Sequence, residues 1–154
     1  MEISQIDQKG LKAAISAAQT GISEGGMPFG AALVNSRGDI LATGHNRQIQ
    51  SKRWLAHAET ECLESFLTSL EKRASLADVT LYATEAPCPM CAGAALVAGI
   101  GRCVVGEAHH YTGALELLRA AEVEVLVLDD KDCIDMVTDF RRDHAERWNQ
   151  LSAG

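Results

Sequence analysis

The sequence predicts an α/β protein, a three-layer α/β/α sandwich on a five-stranded mixed sheet whose last three strands run parallel. Three observations predict it. In the second half of the chain, short apolar runs of strand length alternate with helical stretches. Single helices separate the last three strands, so each connection is a right-handed crossover between parallel strands. The first two strands face each other across a tight polar turn, which makes a hairpin with one antiparallel member. The 154 residues suffice for one domain with a substantial core, taken as 1–154, and show no linker or internal repeat.

The elements follow in order. Residues 6–22 set Leu11, Ala14, Ile15, Ala18 and Ile22 on one helical face, and Gly25-Gly26 stop that helix. Strands at 29–34 and 39–44 are joined by Asn35-Ser36-Arg37-Gly38, so Arg37-Gly38-Asp39 reads as a turn and not an adhesion motif. A helix over 57–70 carries Leu63, Phe66, Leu67 and Leu70 on one side. A strand at 79–84, a small-residue helix at 88–98 and a short buried strand at 102–106 come next. A helix at 113–121 and an apolar strand at 123–128 precede a last helix over 131–148. That helix is expected to bury Ile134, Val137, Phe140, the stem of Arg141, His144 and Trp148. Functional residues belong where helix N-termini meet the carboxyl ends of strands.

Composition narrows the function. At 47% hydrophobic and 23% charged the chain is ordinary for a globular fold, which excludes disorder. A net charge of −7 with no basic block argues against nucleic acid as a partner. No apolar run reaches the ~18 residues of a membrane span, and Met1-Glu2-Ile3-Ser4-Gln5 lacks the profile of a signal peptide. Five cysteines without a secretion signal predict reduced thiols in the cytoplasm.

Two segments carry chemistry: His57-Ala58-Glu59 and Pro87-Cys88-Pro89-Met90-Cys91. Two thiols and one imidazole supply three soft ligands for a tetrahedral zinc ion, and a fourth position left to water marks a catalytic site. Both segments start helices, and a positive helix end favours the thiolates that zinc requires. Pro89 suits a first helical turn. Residues two apart on a helix do not share a face, so Glu59 is not expected to ligate the ion bound by His57. A carboxylate beside the metal can instead take a proton from its water, whose pKa zinc lowers from about 16 to about 7.

Other readings compete. A Cys-x-x-Cys pair alone serves as readily in redox chemistry, and it is His57-Ala58-Glu59 that turns the reading to zinc catalysis. Cys62, Cys103 and Cys133 read as core or structural residues. His45, His109, His110 and His144 have no partner at ligand spacing. The group Asp129, Asp130, Asp132 and Asp135 fits the N-terminus of the last helix better than a metal loop.

His-x-Glu followed by Pro-Cys-x-x-Cys is the established signature of zinc nucleobase deaminases. The chain resembles that superfamily, and within it the fungal-type cytosine deaminases that act on the free base. The resemblance runs from about Asp7 to Trp148 and takes in Asp7-Gln8-Lys9-Gly10, Gly44-His45-Asn46 and Arg102-Cys103-Val104-Val105-Gly106-Glu107. It implies the cytidine-deaminase-like sandwich, His57, Cys88 and Cys91 as zinc ligands, and Glu59 as proton shuttle. It also implies that Asn46 and the Ala58 N–H bind the ring's carbonyl edge, and that Phe29, Tyr111 and Trp148 wall the pocket. Trp54, on the loop before His57, reads equally as a pocket residue or an exposed loop residue. A homodimer is implied, with the small-residue helix from Cys88 at the interface.

One position departs from the family. Where the fungal-type enzymes place an amine-accepting aspartate, three residues past the tryptophan, this chain has Leu151 in Trp148-Asn149-Gln150-Leu151. Either Asn149 or Gln150 substitutes, or the substrate differs. Isocytosine is the nearest candidate, and it yields uracil and ammonia as cytosine does. Guanine or other aminopurine deamination, tRNA adenosine editing and a non-catalytic zinc module are the alternatives.

Overall fold

The computed structural model describes residues 3–151. Helix α1 (Gln5–Ser23) starts at Ser4, whose hydroxyl accepts the Asp7 N–H at 3.0 Å. Strands β1 (Gly30–Val34) and β2 (Ile40–His45) form the hairpin, with the Asn35 side chain accepting the N–H groups of Arg37 and Asp39. A short helix α2 (Gln48–Ser51) and helix α3 (Ala58–Leu67) follow. Strand β3 (Thr80–Glu85), helix α4 (Pro89–Ala98), strand β4 (Arg102–Glu107), helix α5 (Leu115–Ala120) and strand β5 (Glu124–Val127) make the two crossover units. Helices α6 (Lys131–Asp143) and α7 (Ala145–Leu151) complete the order.

The sheet order is β2-β1-β3-β4-β5. Strand β1 is antiparallel to both neighbours, and β3, β4 and β5 are parallel, as the sequence predicts. Alternating side chains feed two cores. On one face Leu33, Leu81, Cys103 and Val105 meet Cys62, Leu63, Ala92, Ala95 and Leu118 of α3, α4 and α5. On the other, Ala32, Val34, Tyr82 and Val104 meet Leu11 and Ala14 of α1 and Cys133 of α6. Burial pushes the Cys62 and Cys103 thiols up to about 12, as inert packing residues require.

Two glycines let the helices sit directly on the sheet. A Cβ at Gly30 would lie 1.9 Å from the Ala14 carbonyl oxygen of α1, and one at Gly44 would lie 2.6 Å from the Ala58 carbonyl oxygen and Cys62 N of α3. Helix α3 is thereby fixed against β2 from its first residue.

The C-terminal segment differs from the expected single helix. At His144 the backbone leaves helical angles (φ −130°, ψ 46°) while its N–H still bonds the Phe140 carbonyl, and the chain restarts as α7. Arg141 is exposed, and His144 and Trp148 are half-buried instead of forming a core stripe. The Arg141 guanidinium covers the Trp148 ring at 5.1 Å instead. The acidic run behaves as expected: Asp130 caps α6, accepting the Cys133 N–H at 2.9 Å. Among the described residues, no helix is long and apolar enough to cross a membrane.

Candidate active site

The carboxyl ends of parallel β3 and β4 open beside the N-termini of α3 and α4. His57 is the residue before α3 in extended conformation, and Cys88 holds the same place before α4, with Pro89 in the first turn. Cys91 lies one turn inside and is fully buried. His57 Nδ1 stands 3.5 Å from both Cys88 Sγ and Cys91 Sγ, and the three ligand atoms lie within 4.8 Å of one another. A tetrahedral zinc with Zn–S of about 2.3 Å and Zn–N of about 2.0 Å needs N···S edges of about 3.5 Å. The donor set fits.

The charges suit a cation as well. A hydrogen bond from the Cys91 side chain, against the cost of burial, brings Cys88 down to about 4, and the same bond pushes Cys91 up. The pair thus shares a proton that a bound cation displaces. The Cys88 hydrogen bond outweighs burial at His57 and raises its pKa. Glu59, in the first turn of α3, is only 7% exposed, and burial raises its carboxyl above the usual range. It lies outside the three-residue donor cluster.

The remaining sequence-predicted residues divide. Asn46, just past β2, is 3% exposed, and its amide is fixed by Gln48, which donates N–H to Oδ1 (3.0 Å) and accepts from Nδ2 (2.8 Å). The Asn46 N–H bonds the Phe29 carbonyl at 3.0 Å, tying the two together. Ala58 is the first residue of α3, so its N–H has no partner within the helix. The Phe29 ring lies 6.1 Å from Trp148, which α7 carries back toward β1. Tyr111 is 43% exposed, and burial with the nearby charges of Cys88 and Glu85 raises its pKa.

Trp54 stands apart. It is 70% exposed and lines a groove of about 1030 Å³ over α3 and α4 whose lining includes none of His57, Glu59, Cys88 or Cys91. The loop before His57 turns this ring outward. Asn149 and Gln150 are both exposed, so neither supplies a buried polar group in place of the missing aspartate.

A second cluster escapes sequence reasoning: Glu85, Glu107 and His110 also bring ligand-type atoms within 4.8 Å of one another. The two acids end adjacent strands, opposite each other in the β3–β4 register. The signal was an acid closing each of two apolar runs, but only the strand register makes them neighbours.

Comparison with known proteins agrees with this geometry. The family model for the cytidine and deoxycytidylate deaminase zinc-binding region matches residues 4–107. A cytosine deaminase from Candida albicans is 38% identical over 144 residues, 94% of this chain and 95% of its own. A tRNA-specific adenosine deaminase from Haemophilus influenzae is 36% identical over 112 residues, 73% of this chain and 64% of its own. A solved guanine deaminase from Nitrosomonas europaea shares the fold, with a TM-score of 0.78 at 19% identity over 92% of this chain and 87% of that one. With most of its length matched in this way, the chain belongs to the cytidine and deoxycytidylate deaminase zinc-binding family and is a zinc-dependent hydrolytic deaminase.

Proposed function

We propose that this single-domain deaminase hydrolyses a free aminopyrimidine base, cytosine or isocytosine, to uracil and ammonia. The observation that carries the reading is a buried Glu59 beside the His57–Cys88–Cys91 donor set but outside it. The near full-length likeness to a cytosine deaminase supports the class of base.

His57, Cys88 and Cys91 would hold the zinc, which when bound supplies the Lewis acidity that makes water nucleophilic at neutral pH. Glu59 takes a proton from the attacking water as it adds to the amino-bearing ring carbon. It passes that proton to N3, then takes the remaining proton of the added hydroxyl and hands it to the departing amine as the carbonyl forms. Burial raises the affinity of Glu59 for protons, which suits a group that must both accept and release them. Asn46, locked by Gln48, and the free N–H of Ala58 bind the ring carbonyl. Phe29, Trp148 and Tyr111 flank the ring and exclude water, which strengthens each charge inside.

Two further features belong to this reading. The groove over α3 and α4, with exposed Val97, Trp54 and Leu55, serves as the face of a homodimer. All five cysteines are free, which suits the reducing cytoplasm. The likeness to a tRNA-specific deaminase favours a second substrate class, opposed by the net charge of −7. An ammonia-release panel of cytosine, isocytosine, cytidine, adenine, guanine and an anticodon stem-loop tests it. Turnover of the free pyrimidines above the rest is the expected result; exclusive activity on the stem-loop or on guanine overturns it.

A further inference from the structure

The sheet edge beside the donor set carries an amide whose orientation the backbone dictates. Asn46 extends the β1–β2 ladder by one pair, through its N–H on the Phe29 carbonyl at 3.0 Å. Side chains alternate along a strand, so Asn46 continues the face of Gly44, which lies against the Ala58 and Cys62 backbone of α3. The loop then closes on itself: the Arg47 N–H bonds the carbonyl of Ala56, the residue before His57, at 2.9 Å. Asn46 is thereby fixed beside the helix turn that holds Glu59, and it is 3% exposed.

Two backbone groups decide which end of each amide is oxygen. The Gln48 N–H can only donate, so the Asn46 atom facing it at 3.0 Å is Oδ1. The Trp54 carbonyl can only accept, so the Gln48 atom facing it at 2.8 Å is Nε2. Gln48 Oε1 then faces Asn46 and accepts one Nδ2–H at 2.8 Å. Turning either amide would set donor against donor or acceptor against acceptor. The Trp54 ring faces outward, but its carbonyl anchors the far end of this chain of bonds. Among the described residues no other group bonds the Asn46 side chain, so one Nδ2–H and one Oδ1 lone pair stand side by side in a buried setting.

Resting on the aminopyrimidine reading above, we propose that Gln48 is a positioning residue that holds the Asn46 amide to read a ring carbonyl beside an N–H, and so selects cytosine over isocytosine. Counted from the amino-bearing carbon, cytosine presents the bare N3 to Glu59, then the C2 carbonyl, then N1–H. The Asn46 Nδ2–H donates to that carbonyl, and Oδ1 accepts the N1–H. Isocytosine with a bare N3 turned to Glu59 carries its ring hydrogen on N1, across the amino carbon from N3. Beside its C4 carbonyl it has C5–H, which leaves Oδ1 without a donor. Its other tautomer, turned to give a bare N1 to Glu59, brings C6–H and C5–H to Asn46. A buried polar group left without its partner discriminates more strongly than a change of size. Leu151 offers no acceptor to the amino side, so the choice between the two bases falls to the edge that Asn46 reads.

The test measures kcat and KM for cytosine and isocytosine with the zinc-loaded wild type, Gln48→Met and Gln48→Glu. The wild type is expected to favour cytosine by at least about tenfold in kcat/KM. Gln48→Met keeps the length and removes both polar ends, so that only the backbone N–H of residue 48 is left to orient the Asn46 amide. It is expected to raise KM for cytosine and to lower the cytosine-to-isocytosine ratio by about tenfold, with zinc content unchanged. Gln48→Glu loses the bond to Trp54 but still accepts from Asn46 Nδ2, and is expected to restore most of the ratio. A residue that only steadied the loop would lower turnover of both bases alike. An unchanged ratio in a folded Gln48→Met, or a ratio lost as fully in Gln48→Glu, overturns the role of Gln48. Because either variant can fail to fold, the wild type also decides by itself: isocytosine turned over as well as cytosine, or better, overturns the inference and leaves the substrate class standing. Turnover of neither base overturns the aminopyrimidine reading and this inference with it.

Discussion

On the proposed mechanism, Glu59 decides whether this arrangement of residues turns over substrate or merely binds a metal. Glu59→Ala removes the proton carrier and leaves all three donors, so zinc content and fold should be retained. Ammonia release should fall by about 10²–10⁴-fold or more, measured beside the metal content of the same sample. Unaltered turnover would mean that another group moves the proton. The donor set is legible in the sequence because its spacing is local. His57 and Glu59 sit at one helix start, Cys88 and Cys91 at another, and crossover topology brings such starts to one edge of a parallel sheet. Glu85 and Glu107 are not legible in this way, since their proximity depends on the register between two strands. Trp54 stays undecided in the sequence for a related reason: an aromatic near a ligand in sequence says nothing of the side of the loop from which it projects, and the structure shows the ring exposed.

At the scale of elements, the site depends on how tightly α3 seats on β2. With the Gly44 Cα against the Ala58 and Cys62 backbone, a methyl group has no room. Gly44→Ala should displace the start of α3 and cost about 1–3 kcal/mol of stability. It should weaken zinc binding at the same time, because His57 and Ala58 begin that helix. Thermal melting with a competitive zinc titration reads both, and a variant that loses neither would show that the contact yields. The five strands, their order and their directions follow from apolar runs of strand length and intervening helices of crossover length. The break at His144 does not, because no glycine or proline marks it and Asp143-His144-Ala145-Glu146 reads as continuous helix. It is this break that aims Trp148 toward Phe29. The short helix α2 has too few residues to show a periodicity.

Across the whole molecule, one buried network ties three elements. Asp7 of α1 accepts the Tyr82 hydroxyl of β3 at 2.7 Å and two Arg102 N–H groups of β4 at 2.6 and 3.2 Å. Burial alone would raise the Asp7 pKa, but hydrogen bonds from Arg102, Tyr82 and Ser4 outweigh it and hold it below 3.8. A carboxylate with a lower pKa folded than unfolded stabilises the fold above the unfolded value, about pH 4, and loses that contribution as the pH falls through the folded one. Asp7→Asn should cost on the order of 3 kcal/mol at pH 7. Urea melts should show that difference shrinking in strong acid, and a pH-independent gap would point to packing alone. The groove over α3 and α4 makes a separate prediction: Val97→Glu should convert the proposed dimer to a monomer in sedimentation while leaving each subunit folded. A wild type that sediments as a monomer removes that face from the proposal. The Asp7 network also has a consequence for synthesis. Its partners lie 75 and 95 residues further along the chain. While a ribosome adds residues at ~5–20 per second, the amino-terminal helix waits roughly 5–20 s for its guanidinium. Until then the nascent chain carries that carboxylate without its counterion, in the care of whatever the cell supplies to shield emerging helices.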